Sequence, residues 1–538
     1  MAKKSQGNFG GVKVNIIFMR HGEATDNVKE LISDKEIYWS ILTEDGKKTV
    51  LESIKTLPSK IDKIYVSPFP RTMQTAHMVL EKYSKVETVI EQRLHEITYG
   101  KYSGQKNNDE LDKTRLKQID GDYFVRFGQY GENKFDIESR LCEFLQDVYK
   151  NNFHFNTIMI ISHGSITSYM KRILNLKTPH IKTGKVEEFI NVDFSLLFKH
   201  IKKLKDIKLQ EINKRIKTVK ELDVNEKLKN NLIKMVKKEF NNIEFSDIYF
   251  ENFINGIKTK NLKQKKVSDF DDGIIAVCFY NDFENFAEKW MRHYIDIGVK
   301  NFVLVDNNSS DNSTKILKNY EKEVNISFWE IKEKYNCYKM CGWKQQILEY
   351  YGVGRKYLIV DSDELFIYED YRKISLSQFT EKNKLQFIKS MMLDVYTNKN
   401  IFEGTLGDFN FVDKETYKMT TNVSYKQRFY GGPRSRIFGI NPSLQKIPFI
   451  LYSGQEILAN DHYYYPWNIN DKAKYRSYLL HYKFLPGDEK KYNVFARDGR
   501  HWNNSHEYKI YNNVLSNNKV SFYDKDISVN IDSIDFRF

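Results

Sequence analysis

Short unbroken apolar runs broken by polar turns dominate both ends of this chain, and a long stretch of helical spacing separates them. Near the start, Val14 to Met19, Ile61 to Val66 and the run from Thr157 each read as a buried strand, and an amphipathic helix begins near Arg71. From Asp193 to Asp269 the composition shifts to lysine, asparagine, isoleucine and leucine, with no proline. There Ile201, Leu204, Ile212, Ile216 and Val219 recur at three- and four-residue steps, and Leu228, Leu232, Met235, Val236 and Phe240 do so after a break. This predicts helices with a solvated lysine face, the second opened by a capping box of Asp223 with Glu226. Further on, Gly273 to Phe279 and Asn301 to Val305 are strand runs around a helix near Phe286 to Ile297, and "KYLIVDSDELFIY" ends another strand at Asp361.

Strands alternating with helices predict an α/β chain. Its 538 residues exceed what one core organises. Two α/β domains are therefore expected, at 1–192 and 270–538, joined by a lysine-rich helical connector at 193–269. The connector's apolar stripe needs cover, from a flanking domain or from a second copy of the chain.

The polar ends of the first strands carry chemistry. "RHGEATDN" from Arg20 to Asn27 sets an arginine, a histidine and a glycine at a strand mouth. A neutral imidazole can attack phosphorus, and a neighbouring guanidinium both lowers its pKa and clamps anionic oxygens. "SPFPRTMQTA" adds Arg71, a second clamp; "LHEITYGKYSG" adds Glu96, a proton donor for a leaving oxygen; "TIMIISHGS" ends a strand at His163, a second imidazole.

This set resembles the histidine phosphatase superfamily, in its phosphoglycerate mutase-like branch, over about residues 12 to 190. The resemblance implies a three-layer α/β/α sandwich and a phosphorylated His21. It also implies that Arg20, Arg71 and His163 hold the phosphoryl group, that Glu96 protonates the departing alkoxide, and that no metal or other cofactor takes part. Asn27 is expected among the substrate-binding residues. Ala24 stands where the family usually has threonine, and "GEN" at Gly131 to Asn133 where it often has "GES". The stretch from Gly104 to Asn156 is short for the lid expected of a glycolytic mutase. Hydrolysis of a phosphorylated small molecule or sugar is therefore expected, with a phosphotransferase or mutase as the alternative.

In the last domain "DNNSSDNS" follows a strand at Asp306, and Asp361, Ser362, Asp363 and Glu364 follow another. With no basic neighbour to neutralise them, two carboxylates one residue apart at a strand end are costly unless a cation or solvent sits there, and a divalent metal bridging a diphosphate is the expected occupant. The arrangement resembles GT-A glycosyltransferases, family 2 and its relatives in surface glycan synthesis, over about residues 270 to 490. That resemblance implies a nucleotide-diphospho-sugar transferase fold, with Asp306 on the base or ribose and Asp361 with Asp363 on the ribose and a Mn²⁺ or Mg²⁺ ion. Arg434 and Arg436, in "FYGGPRSRIFG", are candidates for the diphosphate or an anionic acceptor. His481, in "LLHYKF", is a candidate metal ligand, and Asp461, in "ANDHYYYP", a candidate base for the acceptor hydroxyl.

A formal charge of +14 favours anionic partners: phosphates, sugar nucleotides, or a membrane's inner face touched peripherally. No nucleic-acid module is recognisable, and much of the lysine excess sits in the connector, so nucleic acid ranks low. The 4 cysteines form neither a disulfide framework nor a zinc pattern, and no apolar run approaches membrane-spanning length, so a cytoplasmic location is expected. Together these readings describe a bifunctional enzyme of bacterial surface glycan synthesis, hydrolysing a phosphomonoester and transferring a sugar from a nucleotide sugar to a glycan or small-alcohol acceptor. The alternative is a chain with one active half, the other serving as a recognition or scaffold module.

Overall fold

The computed structural model describes residues 13–34, 40–128, 131–151, 156–177, 179–240, 247–420, 428–498, 502–516 and 519–536. The chain divides into two compact units, Met1–Glu211 and Ile212–Phe538, and the division falls inside the helix Ser195–Lys220.

In the first unit β1 (Lys13–Arg20), β2 (Lys63–Val66), β3 (Glu87–Ile90), β4 (Thr157–Ser162) and β5 (Val186–Asp193) form one sheet in the order β3-β2-β4-β1-β5. All neighbours run parallel except β5, which is antiparallel to β1. Alternate residues serve opposite faces. Ile17, Met19, Ile64 and Val66 pack with Val50, Ile54 and Val79 of helices Glu44–Thr56 and Pro70–Lys82. Tyr65, on the other face, meets Phe144 of helix Lys134–Asn151 edge-on at 5.3 Å between ring centres. Helices thus cover both faces, and the sheet has the three-layer form expected. Because β1 and β4 pair in register, Arg20 beside Ser162, the residues that follow them, His21 and His163, emerge at one edge.

In the second unit β6 (Leu262–Lys266), β7 (Ile275–Tyr280), β8 (Asn301–Asp306), β9 (Asn325–Ile331), β10 (Lys356–Ile359), β11 (Glu364–Tyr368) and β12 (Phe387–Asp394) join the strands Gln445–Leu451 and Lys474–His481. Read across the sheet, the order is β11, 474–481, β12, 445–451, β10, β7, β8, β9, β6. The block β10-β7-β8-β9 is parallel. Strand Gln445–Leu451 runs against both β10 and β12, so it begins where they end. Asp361, Asp394, His481 and Lys446 are thereby gathered at one sheet edge.

The stretch expected as a connector is not a separate body. Val219, Leu222, Leu228, Leu232, Met235 and Val236 belong to the same apolar core as Ile275, Val277 and Val303, with Ile212 and Ile216 packed against it, so from Ile212 on the stripe finds its cover within the second unit. The cap also differs from the expected box. Asn225, not Asp223, caps helix Glu226–Lys238: its Oδ1 accepts from Leu228 N at 2.9 Å while its amide donates to Glu349 at 2.7 Å. That second bond rewards asparagine at the cap, because a carboxylate there could not donate.

Helices Asp247–Lys258 and Cys337–Tyr351 cross through two glycines, and a Cβ on Gly342 would stand 2.8 Å from the Gly256 Cα. Gly342→Ala is expected to cost about 1–3 kcal/mol by overpacking, read as a lower urea midpoint for the second unit with the first unit's transition unmoved.

Candidate active site

His21, Arg71 and His163 converge although 142 residues separate the outer two, and all three are enclosed, at 2%, 3% and 0% exposure. Nδ1 of His21 lies 2.7 Å from the Gly22 carbonyl and must carry the proton, since a carbonyl only accepts. That leaves the Nε2 lone pair on the opposite side, where it accepts from Arg71 Nε at 3.2 Å. Burial, reinforced by the Arg71 charge, pushes the His21 pKa well below the usual histidine value, so the ring is neutral at neutral pH.

Arg71 organises the rest. Nη2 reaches His163 Nδ1 at 3.1 Å and the Ser33 carbonyl at 2.9 Å, and Nη1 reaches Ser33 Oγ at 3.1 Å. A guanidinium only donates, so His163 accepts at Nδ1 and has its proton on Nε2, facing Ser67 Oγ at 2.8 Å. The two imidazoles stand edge to face, 5.3 Å between ring centres. Glu96 approaches to 3.9 Å from His163 Nδ1 and accepts from Ile97 N at 2.8 Å. Burial raises its pKa against the opposing pull of Arg71.

Arg20 points into the same edge. Its Nη1 meets His180 Nε2 at 3.0 Å and the Ile181 carbonyl at 3.2 Å, while its buried Nε has no hydrogen-bond partner among the described residues. An orphaned buried donor beside a neutral imidazole and a second guanidinium suits an anion's oxygen. Gly164 follows because any Cβ there would overlap the His180 ring. Asn27 is spent locally: its Oδ1 accepts from Ala24 N at 3.0 Å, closing the short helix Thr25–Val28, and no contact of the side chain with His21 or Arg71 accompanies it.

Sequence reasoning missed Ser33, Ser67, Asp26 and His180. Ser67 and Asp26 lay inside the quoted strings; Asp26 stands 3.8 Å from Arg71 and accepts from Ser40. No pattern pointed to Ser33 or His180, which loops bring in.

In the second unit Asp361 and Asp461, a hundred residues apart, share Lys344, whose Nζ lies 3.2 and 3.0 Å from them. Lys446 Nζ reaches Asp361 Oδ2 at 2.8 Å and both Glu364 oxygens at 3.0 and 2.8 Å. Burial alone would raise the Asp361 pKa, but the two lysines hold it far below the carboxylate range. The premise that these carboxylates lack a basic neighbour therefore fails, because both lysines come from distant segments. His481 does not suit the metal-ligand role either. Its Nδ1 faces Asp394 at 2.7 Å and its Nε2 faces Asp363 at 3.3 Å. Against the cost of burial, these carboxylates raise its pKa to about 9 and leave it an imidazolium with no lone pair to give. Among the described residues no three His, Cys, Asp or Glu side chains are placed to hold a metal ion. The residues present do not fit the expected Mn²⁺ or Mg²⁺.

The two arginines are also committed. Arg434, 3% exposed, bonds Asp394 at 2.7 Å and Glu507 at 2.8 Å; Arg436 bonds Asp413 at 2.9 Å and the Phe522 carbonyl at 2.6 Å. Their charges are consumed inside the fold, which corrects the expectation of ligand contacts. Asp306 ends β8, and its Oδ1 accepts from Ser309 N at 2.8 Å, tying the polar turn.

A neutral imidazole with its proton fixed at Nδ1 and a guanidinium on Nε2, with a second imidazole and a buried carboxyl nearby, has the chemistry that phosphoryl transfer to a histidine needs. Residues 16–189 match the model of the histidine phosphatase superfamily (branch 1). No curated protein matches the chain. Similar solved structures include the alpha-ribazole phosphatase from Shigella flexneri, at 20% identity and TM-score 0.29, covering 32% of this chain and 89% of that one. A mycobacterial glucosyl-3-phosphoglycerate phosphatase in complex with VO3 has 16% identity and TM-score 0.29, covering 32% and 92%. YhfR of Bacillus stearothermophilus has 23% identity and TM-score 0.27, covering 32% and 90%. No helix among the described residues is long and apolar enough to cross a membrane.

Proposed function

We propose that the first unit hydrolyses the phosphomonoester of a small molecule or sugar through a phosphohistidine at His21. The carrying observation is the His21 ring, with its proton held at Nδ1 by Gly22 and Nε2 turned to Arg71. Nε2 attacks phosphorus as the bond to the leaving oxygen breaks, and protonated Glu96 gives that oxygen its proton. Water then attacks the phosphohistidine, the phosphorus–nitrogen bond breaks, and ionised Glu96 takes the water's proton. Arg20, Arg71 and His163 supply fixed charge and hydrogen bonds for the equatorial oxygens. Hydrolysis of an aryl phosphate by the full chain is the test; no turnover of aryl or sugar phosphates would sink the reading.

The pH dependence follows from Glu96. With its pKa raised, the acid form persists above the usual carboxylate range and is lost as pH climbs through the raised value. The rate on an alkyl phosphate, a poor leaving group, is expected to fall along that limb. Glu96→Gln is expected to cost alkyl phosphates roughly 10²–10⁴-fold, and aryl phosphates much less. Equal losses on both would contradict the role of proton donor.

For the second unit we propose sugar transfer from a nucleotide sugar to a glycan or small-alcohol acceptor, in the same surface-glycan pathway. Supporting this, β10 and β7 are adjacent parallel strands from which the chain departs to opposite sides of the sheet, the place where open α/β sheets bind ligands, and Asp361 and Asp363 stand there. Asp461 is joined to Asp361 through Lys344 and is the nominated base for the acceptor hydroxyl.

A further inference from the structure

The Asp361 side chain is 40% exposed, yet each of its oxygens already faces an ammonium, Lys344 at 3.2 Å and Lys446 at 2.8 Å. Both lysines are enclosed, at 2% and 3% exposure. An enclosed ammonium stripped of its carboxylate is costly, so neither lysine yields its place readily to an incoming cation. Lys344 also holds Asp461, and Lys446 holds Glu364, so three carboxylates share two ammonium groups. Asp363 is similarly taken, its carboxylate 3.3 Å from His481 Nε2. A divalent ion needs several oxygen ligands drawn close around it and an excess of negative charge; here both Asp361 oxygens and one oxygen each of Asp461 and Asp363 already face cationic side chains.

We propose that the second unit binds a nucleoside diphosphate without a divalent cation, Lys344 and Lys446 holding the place at Asp361 that such a cation would take. This rests on the nucleotide-sugar reading above. The exposed sides of Asp361 and Asp363 then accept hydrogen bonds from ligand hydroxyl groups instead of ligating a metal. Lys446 is the element that keeps a cation out: without it, Glu364 loses the ammonium on both its oxygens and Asp361 keeps only Lys344.

The test is calorimetric titration of the full chain with UDP, GDP, ADP, CDP and dTDP, once with EDTA and once with Mn²⁺. The expected result is one diphosphate binding with affinities within about twofold in the two buffers. Binding at least tenfold tighter with Mn²⁺ would overturn the proposal and leave the nucleotide reading standing. Binding of none of the five in either buffer would overturn both. Lys446→Met supplies a second measurement: the variant is expected to bind Mn²⁺, seen as loss of the free-ion electron paramagnetic resonance signal, where the natural chain does not. Mn²⁺ binding by the natural chain, lost in Asp361→Asn, would contradict the proposal even if Lys446→Met failed to fold.

Discussion

Replacing His21 by alanine is expected to abolish phosphomonoester hydrolysis, by at least about 10⁴-fold in kcat, while leaving the fold of both units in place. The size follows from the site's division of labour. Arg20 and Arg71 stabilise charge on a phosphoryl group that is already in transfer but have no lone pair to accept it, and His163, whose Nδ1 meets Arg71 as His21 Nε2 does, has the stabilising role in the proposal above. Losing the His21 ring removes the acceptor. Circular dichroism and the second unit's melting transition should be unchanged, because β1 ends before His21. Residual activity above about a hundredth of the natural chain's would mean that another group, or water directly, attacks phosphorus.

Arg434→Met is expected to give the largest loss of stability. It removes one of the two positive partners of Asp394, which is 2% exposed and keeps only His481, and the guanidinium on Glu507, and breaking such a buried ion pair costs up to about 3–5 kcal/mol. The loss should appear as a lower urea midpoint for the second unit, with the slope unchanged and aryl phosphate hydrolysis by the first unit intact. A ligand-binding arginine would behave oppositely, with stability kept and affinity lost. The two outcomes therefore separate a structural ion pair from the diphosphate contact that the sequence "GGPRSR" suggested.

These cases show what was legible beforehand. In the first unit the chemistry sits next to strand ends, and parallel strands in register bring strand ends together, so strings such as "RHGE" and "SHGS" disclosed both position and neighbours. The second unit's carboxylates were equally visible, but their partners were not. Lys344 lies in a helix and Lys446 at the start of a strand that runs against its neighbours, and nothing local to either residue announces the meeting with Asp361. Reading charge balance from sequence neighbours alone therefore suggested a metal where lysines stand. His481 was similarly misread, since the Asp394 and Asp363 that accept from its two ring nitrogens come from two other places in the chain. The helical stretch was recognised as helical from its spacing, whereas its destination, the core of the second unit, depended on which surface its stripe would meet.

The most direct test is to catch the covalent intermediate. The full chain, mixed with an aryl phosphate and quenched in alkali within milliseconds, is digested and mapped by mass spectrometry under conditions that preserve phosphorus–nitrogen bonds. One acid-labile phosphoryl group on His21, formed at the rate of the phenol burst and absent from His21→Ala, is the predicted result. A burst without phosphoryl-enzyme, or a phosphoryl group on any residue but His21, would contradict the account.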